Sequence, residues 1–167
     1  DAGRISTIIL RGATRAHLDD IERAIDDGCN TYKALVRDTR RLPAGGATEM
    51  QLSVRLAADA KKQGGLEQYT LRKFSEALEI IPRTICENTG IDATGLLSKM
   101  QQAHANPEGG TLGVDTMAGD LADLSQQGIS DLYAPKVWGL KLATDAATTV
   151  LQIDQIIMSK QAGGKKQ

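Results

Sequence analysis

Apolar side chains recur at three- and four-residue steps along most of this chain, and this spacing restricts it to a fold built mainly from helices. The longest stripe predicts an amphipathic helix of about six turns after Thr14, a possible cap. It contains Leu18, Ile21, Ile25, Cys29, Tyr32 and Val36. Later stripes predict helices from Thr48 to about Lys62, from about Leu66 with a restart at Pro82, after Asp92, and from Pro135.

Two segments near the ends of the chain have the composition of strands. Residues 5–10, Ile-Ser-Thr-Ile-Ile-Leu, predict a buried strand whose partners lie outside this chain, because a strand alone is not stable. Residues 153–158, after the final helix, have the same character. Residues 111–115 predict a short strand and residues 119–127 a short helix. The predicted fold class is therefore mainly α, with short β segments at both ends.

The composition is that of a globular protein, with 41% apolar residues among 167 and a net charge of -1. This balance favours neither a nucleic-acid partner nor a membrane, and no apolar run is long enough to span a bilayer. Cys29 and Cys86 have no Cys-x-x-Cys spacing, which fits reduced thiols and a cytoplasmic location. His17 and His104 belong to no metal-binding spacing, so no metal site is predicted and both are expected at the surface.

The loop over residues 42–49, Leu-Pro-Ala-Gly-Gly-Ala-Thr-Glu, joins the first two helices. Thr48 is a good N-cap and Gln51 completes a capping-box spacing, so the start of this helix would suit an anion. Gly45 and Gly46 either let the backbone approach a ligand or only make the turn. No Lys-Ser/Thr pair follows them, so the loop is not a Walker phosphate loop.

Acidic residues crowd into about two and a half turns of the first helix: Asp19, Asp20, Glu22, Asp26 and Asp27. Asp27 shares one side with Asp20 and Arg23, roughly opposite the apolar stripe. Such a cluster is usually a solvated face. A carboxylate there polarises water only if another part of the protein brings a substrate to it.

Three stretches of sequence occur in order along the chain. They are Leu-Arg-Gly at 10–12 followed by Asp-Ile-Glu-Arg-Ala-Ile-Asp-Asp at 20–27, Pro-Ala-Gly-Gly-Ala-Thr-Glu at 43–49, and Ala-Thr-Asp-Ala-Ala-Thr-Thr-Val-Leu-Gln-Ile-Asp-Gln-Ile-Ile at 143–157. Together they resemble the C-terminal part of a group II chaperonin subunit, of the eukaryotic cytosolic kind, over essentially the whole chain. The resemblance implies four regions: the end of the apical domain (1–12), the intermediate-domain helix (13–41), the C-terminal half of the equatorial ATP-binding domain (42–160) and a disordered tail (161–167).

The resemblance also implies site residues. Asp27 matches the aspartate that the moving intermediate domain brings to the attacking water. The loop residues Gly45, Gly46 and Ala47 would lie against the sugar and base of ATP. Asp115, in Gly-Val-Asp, belongs to an element that would touch the adenine, and Asp131 matches an acidic residue that binds the ribose hydroxyls.

Some family features differ or are missing in this sequence. Ala44 replaces the first of three glycines, and the residues after Asp131 depart from the shorter proline-containing connection of the family. The family's Gly-Asp-Gly-Thr phosphate loop, with its magnesium-binding aspartate, does not occur here. The chain thus contributes one wall of an ATP site, and we expect this polypeptide alone not to hydrolyse ATP.

The implied function is that of a subunit in a cytoplasmic, ATP-dependent double ring. Such a ring binds unfolded client proteins and assists their folding, with ATP and magnesium as ligands and ATP hydrolysis driving chamber closure. The implied partners are other chaperonin subunits and client proteins, with no nucleic acid and no membrane. The alternative is a non-catalytic helical scaffold in a multi-protein assembly, to which the departures at Ala44 and after Asp131 give some weight.

Overall fold

Helices occupy most of the chain in the computed structural model, which describes residues 3, 5–106 and 109–159. In chain order the elements are α1 (Arg15–Arg37), β1 (Arg41–Pro43), α2 (Ala47–Ala60), α3 (Leu66–Leu78), α4 (Ile80–Thr89), α5 (Ala93–His104), β2 (Gly113–Asp115), β3 (Asp120–Ala122), β4 (Ser130–Leu132) and α6 (Tyr133–Leu151). The mainly α fold class is confirmed. The expected tail, 161–167, lies outside the described residues.

The two predicted terminal strands do not form. Residues 5–10 and 153–158 are in no regular structure, and Ile5 is 94% exposed. A strand needs a neighbour to accept and donate its ladder hydrogen bonds, and neither segment has one in the described chain. The strands that do form lie in the interior of the sequence, in two antiparallel pairs, β1 with β4 and β2 with β3.

Local sequence signals set the starts of α1, α4 and α5. Thr14 accepts a hydrogen bond from the backbone N–H of His17 at the start of α1, and Asp92 accepts one from Thr94 at the start of α5. Pro82 lies in the first turn of α4, where a missing N–H costs nothing. These predictions are confirmed.

Two local predictions are wrong. Thr48 does not cap α2, because the helix begins one residue earlier at Ala47 with Gly46 as its N-cap. The Thr48 hydroxyl instead donates to the Pro43 carbonyl oxygen, 2.9 Å away. The segment 119–127 is not a short α-helix, because it contains β3 and then a single turn of 3-10 helix, Leu124–Gln127.

The core lies between α2, α4, α5 and β2. Its fully buried side chains include Ala47, Met50, Cys86, Met100 and Val114. No residue of α1 or α6 is buried within the described chain. The fold therefore consists of a packed central unit with two long helices on its outside.

His104 is buried, with 2% of its surface exposed, so its predicted surface position is wrong. Its Nε2–H donates to the Leu112 carbonyl oxygen at 2.7 Å, and Nδ1 lies 2.9 Å from Gln51 Oε1. Burial lowers the pKa of His104 below its ordinary value, although the bond to Leu112 partly opposes this. The ring links α5, α2 and the loop before β2.

Candidate functional site

The glycine loop packs tightly inside the protein. Gly45 and Gly46 have positive φ angles of 65° and 76°, a backbone conformation that side chains rarely adopt. A Cβ on Gly45 would lie 2.7 Å from Leu124 Cδ1, and a Cβ on Gly46 would lie 2.7 Å from Pro82 Cβ. Both glycines are therefore required by the conformation of the loop and by its neighbours.

Hydrogen bonds bring distant segments to this loop. The Val114 N–H of β2 donates to the Gly45 carbonyl oxygen at 2.9 Å. On the other side, β1 pairs with β4 so that Leu42 faces Asp131. The glycine loop, the Gly-Val-Asp strand and Asp131 thus form one neighbourhood, although they are far apart in sequence.

Within this neighbourhood, exposure differs among the predicted nucleotide-binding residues. Gly45 is half-buried, whereas Gly46 and Ala47 are buried, Ala47 completely. Asp131 is half-buried. Gly45 and Asp131 are consequently the predicted binding residues with surface available to a ligand in this structure.

Asp115 is buried, and both of its carboxylate oxygens accept hydrogen bonds from nearby residues of the protein. One oxygen, Oδ1, accepts hydrogen bonds from the backbone N–H groups of Met117 and Ala118, at 2.9 and 3.1 Å. The other, Oδ2, accepts one from Gln127 Nε2 at 2.8 Å. The bond from Gln127, followed by the two backbone bonds, lowers the pKa of Asp115. This carboxylate organises the turn between β2 and β3.

An open cleft of about 430 Å³ lies between α2, α4, β4 and α6. Its walls are mostly apolar, with Ile81, Pro135 and Leu140 among them. Its charged residues are Glu49, Asp131 and Lys136. A mostly apolar cleft with a few convergent polar groups is typical of a small-molecule site.

Lys136 bridges the two carboxylates. Its Nζ donates to Glu49 Oε1 and to Asp131 Oδ2, each at 2.6 Å. Burial disfavours the charged amine, but the hydrogen bonds and charges of Asp131 and Glu49 outweigh burial, so the pKa of Lys136 is raised. The second oxygen of Glu49, Oε2, is buried and receives no hydrogen bond from any described residue. No sequence motif marks Glu49 or Lys136 as partners, because they are 87 residues apart.

Asp27 lies on the exposed surface of α1 and does not line the cleft. It precedes the helix end at Arg37 by ten residues, which is about 15 Å along the axis. The structure therefore does not bring Asp27 together with the other predicted site residues.

The end of α1 is attached to the start of α6. The Arg40 guanidinium lies 3.9 Å from the centre of the Tyr133 ring, and the Tyr133 N–H donates to the Arg40 carbonyl oxygen at 3.1 Å. Asp38 binds Arg40 at 2.7 Å, and this hydrogen bond lowers the pKa of Asp38 to about 2. These contacts set the direction in which α1 leaves the central unit.

Within the described ranges, no group of three or more His, Cys, Asp or Glu side chains could hold a metal ion. The described residues thus do not form a magnesium site, and the ligand expected from the family resemblance belongs to a loop that this sequence does not contain. In the described part of the chain, no helix has the length and apolar character to cross a membrane.

Comparison with known proteins gives the class. The sequence matches the TCP-1/cpn60 chaperonin family over residues 1–161, and the chain belongs to this family. Its fold is similar to the open-state monomer of a group II chaperonin from Methanococcoides burtonii, with a TM-score of 0.71 and 27% identity, over 87% of this chain and 36% of that one. The coarse functional class, a chaperonin subunit, follows from this membership.

Among the relatives, the chain is similar to theta subunits of T-complex protein 1. Identity is 49% to the Homo sapiens subunit and 48% to the Gallus gallus subunit, each over 98% of this chain and 30% of the relative. It is 45% to a probable theta subunit of Schizosaccharomyces pombe, over 99% of this chain and 31% of the relative. The chain thus spans about 30% of the length of these curated relatives. The predicted resemblance to a eukaryotic cytosolic chaperonin is confirmed.

Proposed function

We propose that this chain contributes one wall of an ATP site in a chaperonin subunit, with Gly45 and Asp131 at the sugar of the nucleotide. The observation that carries this proposal is the meeting of three sequence-distant segments at one place. The glycine loop is bonded to β2 through Gly45 and Val114, and β1 holds Asp131 beside Leu42. The cleft next to Asp131 has the size and apolar walls that a nucleotide base and sugar need.

ATP hydrolysis requires a group that orients the attacking water, and the cleft does not supply one. We assign this role to Asp27. Phosphoryl transfer depends mainly on an oriented water and on charge neutralisation, so a carboxylate on a movable helix can gate it. Asp27 is exposed on a helix that has no buried residue and leaves the central unit at residues 38–40. It is thus accessible to a nucleotide that the helix approaches.

In the whole subunit, we further propose that ATP hydrolysis drives closure of a chamber around unfolded client proteins in a cytoplasmic double ring. Large apolar side chains are exposed along α6 and in both terminal segments, including Trp138, Leu151, Ile9 and Ile156. Apolar surface of this extent is covered by protein partners in soluble assemblies. It supports packing against other parts of the subunit or against other subunits.

The scaffold function remains the second candidate. Gly46 and Ala47 are buried against the protein itself, and the Asp115 carboxylate is occupied by its own turn. Both observations give the glycine loop and the Gly-Val-Asp strand a structural role that needs no nucleotide. A helical scaffold without chemistry would keep these contacts.

Replacing Asp27 in the full-length subunit separates the two candidates. We expect Asp27→Ala to lower ATP turnover by at least about 100-fold, as loss of a general base does, while ATP still binds. The matched control is Asp19→Ala, which removes another exposed carboxylate from the same helix and should leave turnover unchanged. Unchanged turnover in Asp27→Ala would remove Asp27 from the mechanism, whereas an unaltered full-length subunit without ATP turnover would favour the scaffold.

The polypeptide of 167 residues should show no turnover by itself, because the phosphate loop of the family is not in its sequence. A purified chain that hydrolyses ATP at a rate above background, and loses this activity with Asp27→Ala, would refute this expectation.

A further inference from the structure

The charged residues of the cleft form a chain that runs from the interior to the surface. Glu49, in the first turn of α2, is 3% exposed; the Lys136 side chain is 21% exposed and that of Asp131 36%. Lys136 lies between them and bonds to both. Of these three charged residues, Asp131 is thus the one that a ligand reaches most easily, and Glu49 is the buried one.

The helix dipole and partial burial both disfavour a charged lysine at position 136. Lys136 lies in the first turn of α6, where the helix dipole disfavours a positive charge, and its side chain is half-buried, with 21% exposed. Glu49, by contrast, lies in the first turn of its own helix, where a negative charge is stabilised. Lys136 is therefore held by its two carboxylate partners and not by its own helix.

The net charge of the cluster formed by Glu49, Lys136 and Asp131 determines which ligand groups it can bind. Two carboxylates and one ammonium group carry a formal net charge of about -1 at neutral pH. A phosphate group would be repelled by this charge, whereas a neutral diol can donate hydrogen bonds to it. In the described part of the chain, Asp131 Oδ1 accepts no hydrogen bond, while Oδ2 is held by Lys136. The cluster thus presents one fixed carboxylate with an available acceptor.

We propose that Lys136, anchored by Glu49, is a positioning residue that holds the Asp131 carboxylate in the orientation that receives the ribose hydroxyls. This inference rests on the proposed role of Asp131 in the ATP site. Without Lys136 the carboxylate would rotate among several orientations, and ordering it on binding would cost affinity. Immobilising one such side chain corresponds to a loss of about 2- to 10-fold in affinity.

The test compares ATP with 2′,3′-dideoxy-ATP, which lacks both ribose hydroxyls, in titrations of the full-length subunit. The unaltered subunit should prefer ATP. Lys136→Met should lower the ATP preference by about 2- to 10-fold, and Asp131→Asn should lower it at least as much. Because the two residues act through one carboxylate, the double variant should show no further loss than Asp131→Asn alone.

Glu49→Gln and Lys141→Met complete the set. Glu49→Gln keeps an acceptor for Lys136 but removes the buried charge, so an intermediate preference is expected, and this variant decides the outcome if Lys136→Met does not fold. Lys141→Met removes a lysine from the same helix that lies over the Trp138 ring and touches neither carboxylate, so the preference should stay unchanged. A purely structural effect would weaken both nucleotides equally and leave the preference unaltered.

Three results would overturn the proposal. The first is an ATP preference that survives in Lys136→Met, or in Glu49→Gln if Lys136→Met does not fold, but is lost in Asp131→Asn. The second is ATP binding without any preference over the dideoxy nucleotide, which removes the ribose role of Asp131 while leaving ATP binding in place. The third is no ATP binding by the unaltered subunit, which would also refute the proposed function.

Discussion

Gly46 and Gly90 form a matched pair that separates backbone strain from steric packing. Both have φ of 76°, with ψ of 7° at Gly46 and 17° at Gly90. A Cβ on Gly90 would meet no atom within 4 Å, whereas a Cβ on Gly46 would meet Pro82 Cβ at 2.7 Å, Cα at 3.0 Å and Cδ at 3.1 Å. Gly46→Ala and Gly90→Ala therefore add the same strain, and they differ in the contact with Pro82.

The expected magnitudes follow from this geometry. Placing alanine in the left-handed region costs about 1 to 2 kcal/mol at either position. The gain from a stiffer unfolded chain is the same for both substitutions and cancels in the comparison. At Gly46 the new methyl group also overpacks against Pro82, which adds about 1 to 3 kcal/mol. Gly46→Ala should thus lower the free energy of unfolding by about 1 to 3 kcal/mol more than Gly90→Ala.

Urea unfolding followed by far-UV circular dichroism measures this difference. With a slope of about 2 kcal/mol per M, the midpoint for Gly46→Ala should lie about 0.5 to 1.5 M below that for Gly90→Ala. The nearest atom is Pro82 Cβ, which alanine also has, so adding Pro82→Ala should not restore the midpoint. Equal midpoints for the two glycine variants would refute the close packing of the loop on α4.

Two further predictions concern pH. Because the pKa of His104 is lowered in the folded protein, its contribution to stability is complete above about pH 6.5 and is lost as the pH falls through the folded-state pKa. In urea titrations from pH 7.5 to 5, His104→Gln should reduce this loss and the exposed-residue control His17→Gln should not. The pKa of Asp115 is also lowered, so Asp115→Asn should reduce the urea midpoint at pH 7, and the difference should shrink as the pH falls below about 3.9 and the native carboxylate takes up a proton. Asp145→Asn, at an exposed site on α6, should have no effect at either pH.

Local signals in the sequence predict the helices well. Apolar stripes and the caps Thr14 and Asp92 act within a few residues, so they operate in the same way in the folded chain. Local signals could not show whether the terminal segments form strands. A strand depends on a partner strand, and the sequence of residues 5–10 says nothing about that partner. At Thr48 two local signals compete. The glycine before the helix takes the cap position, which leaves the threonine hydroxyl to bond with Pro43.

The candidate site was only partly accessible to sequence reasoning. The resemblance selected Asp131 and the glycine loop, and the structure brings these segments together. It did not select Lys136 or Glu49, because their partnership depends on how α6 packs near the start of α2. His104 had a usable signal, since it follows Leu97 and Met100 by seven and four residues on the buried side of α5.

The route by which Asp27 would reach the nucleotide is restricted by the pairing of β1 with β4. Residues 41–43 are held in that ladder and α1 ends at Arg37, so the change of direction must occur at residues 38–40. Contacts between Asp38, Arg40 and the Tyr133 ring hold this segment. The Arg40 side chain is 65% exposed, and ion pairs and cation-π contacts of exposed groups are weak. They can orient α1 without preventing its movement.

Tyr133 also begins the helix that carries Lys136, immediately after β4 with Asp131. The end of α1 and the proposed ribose carboxylate are therefore attached to the same first turn of α6, which would give α1 a short mechanical connection to the proposed nucleotide site.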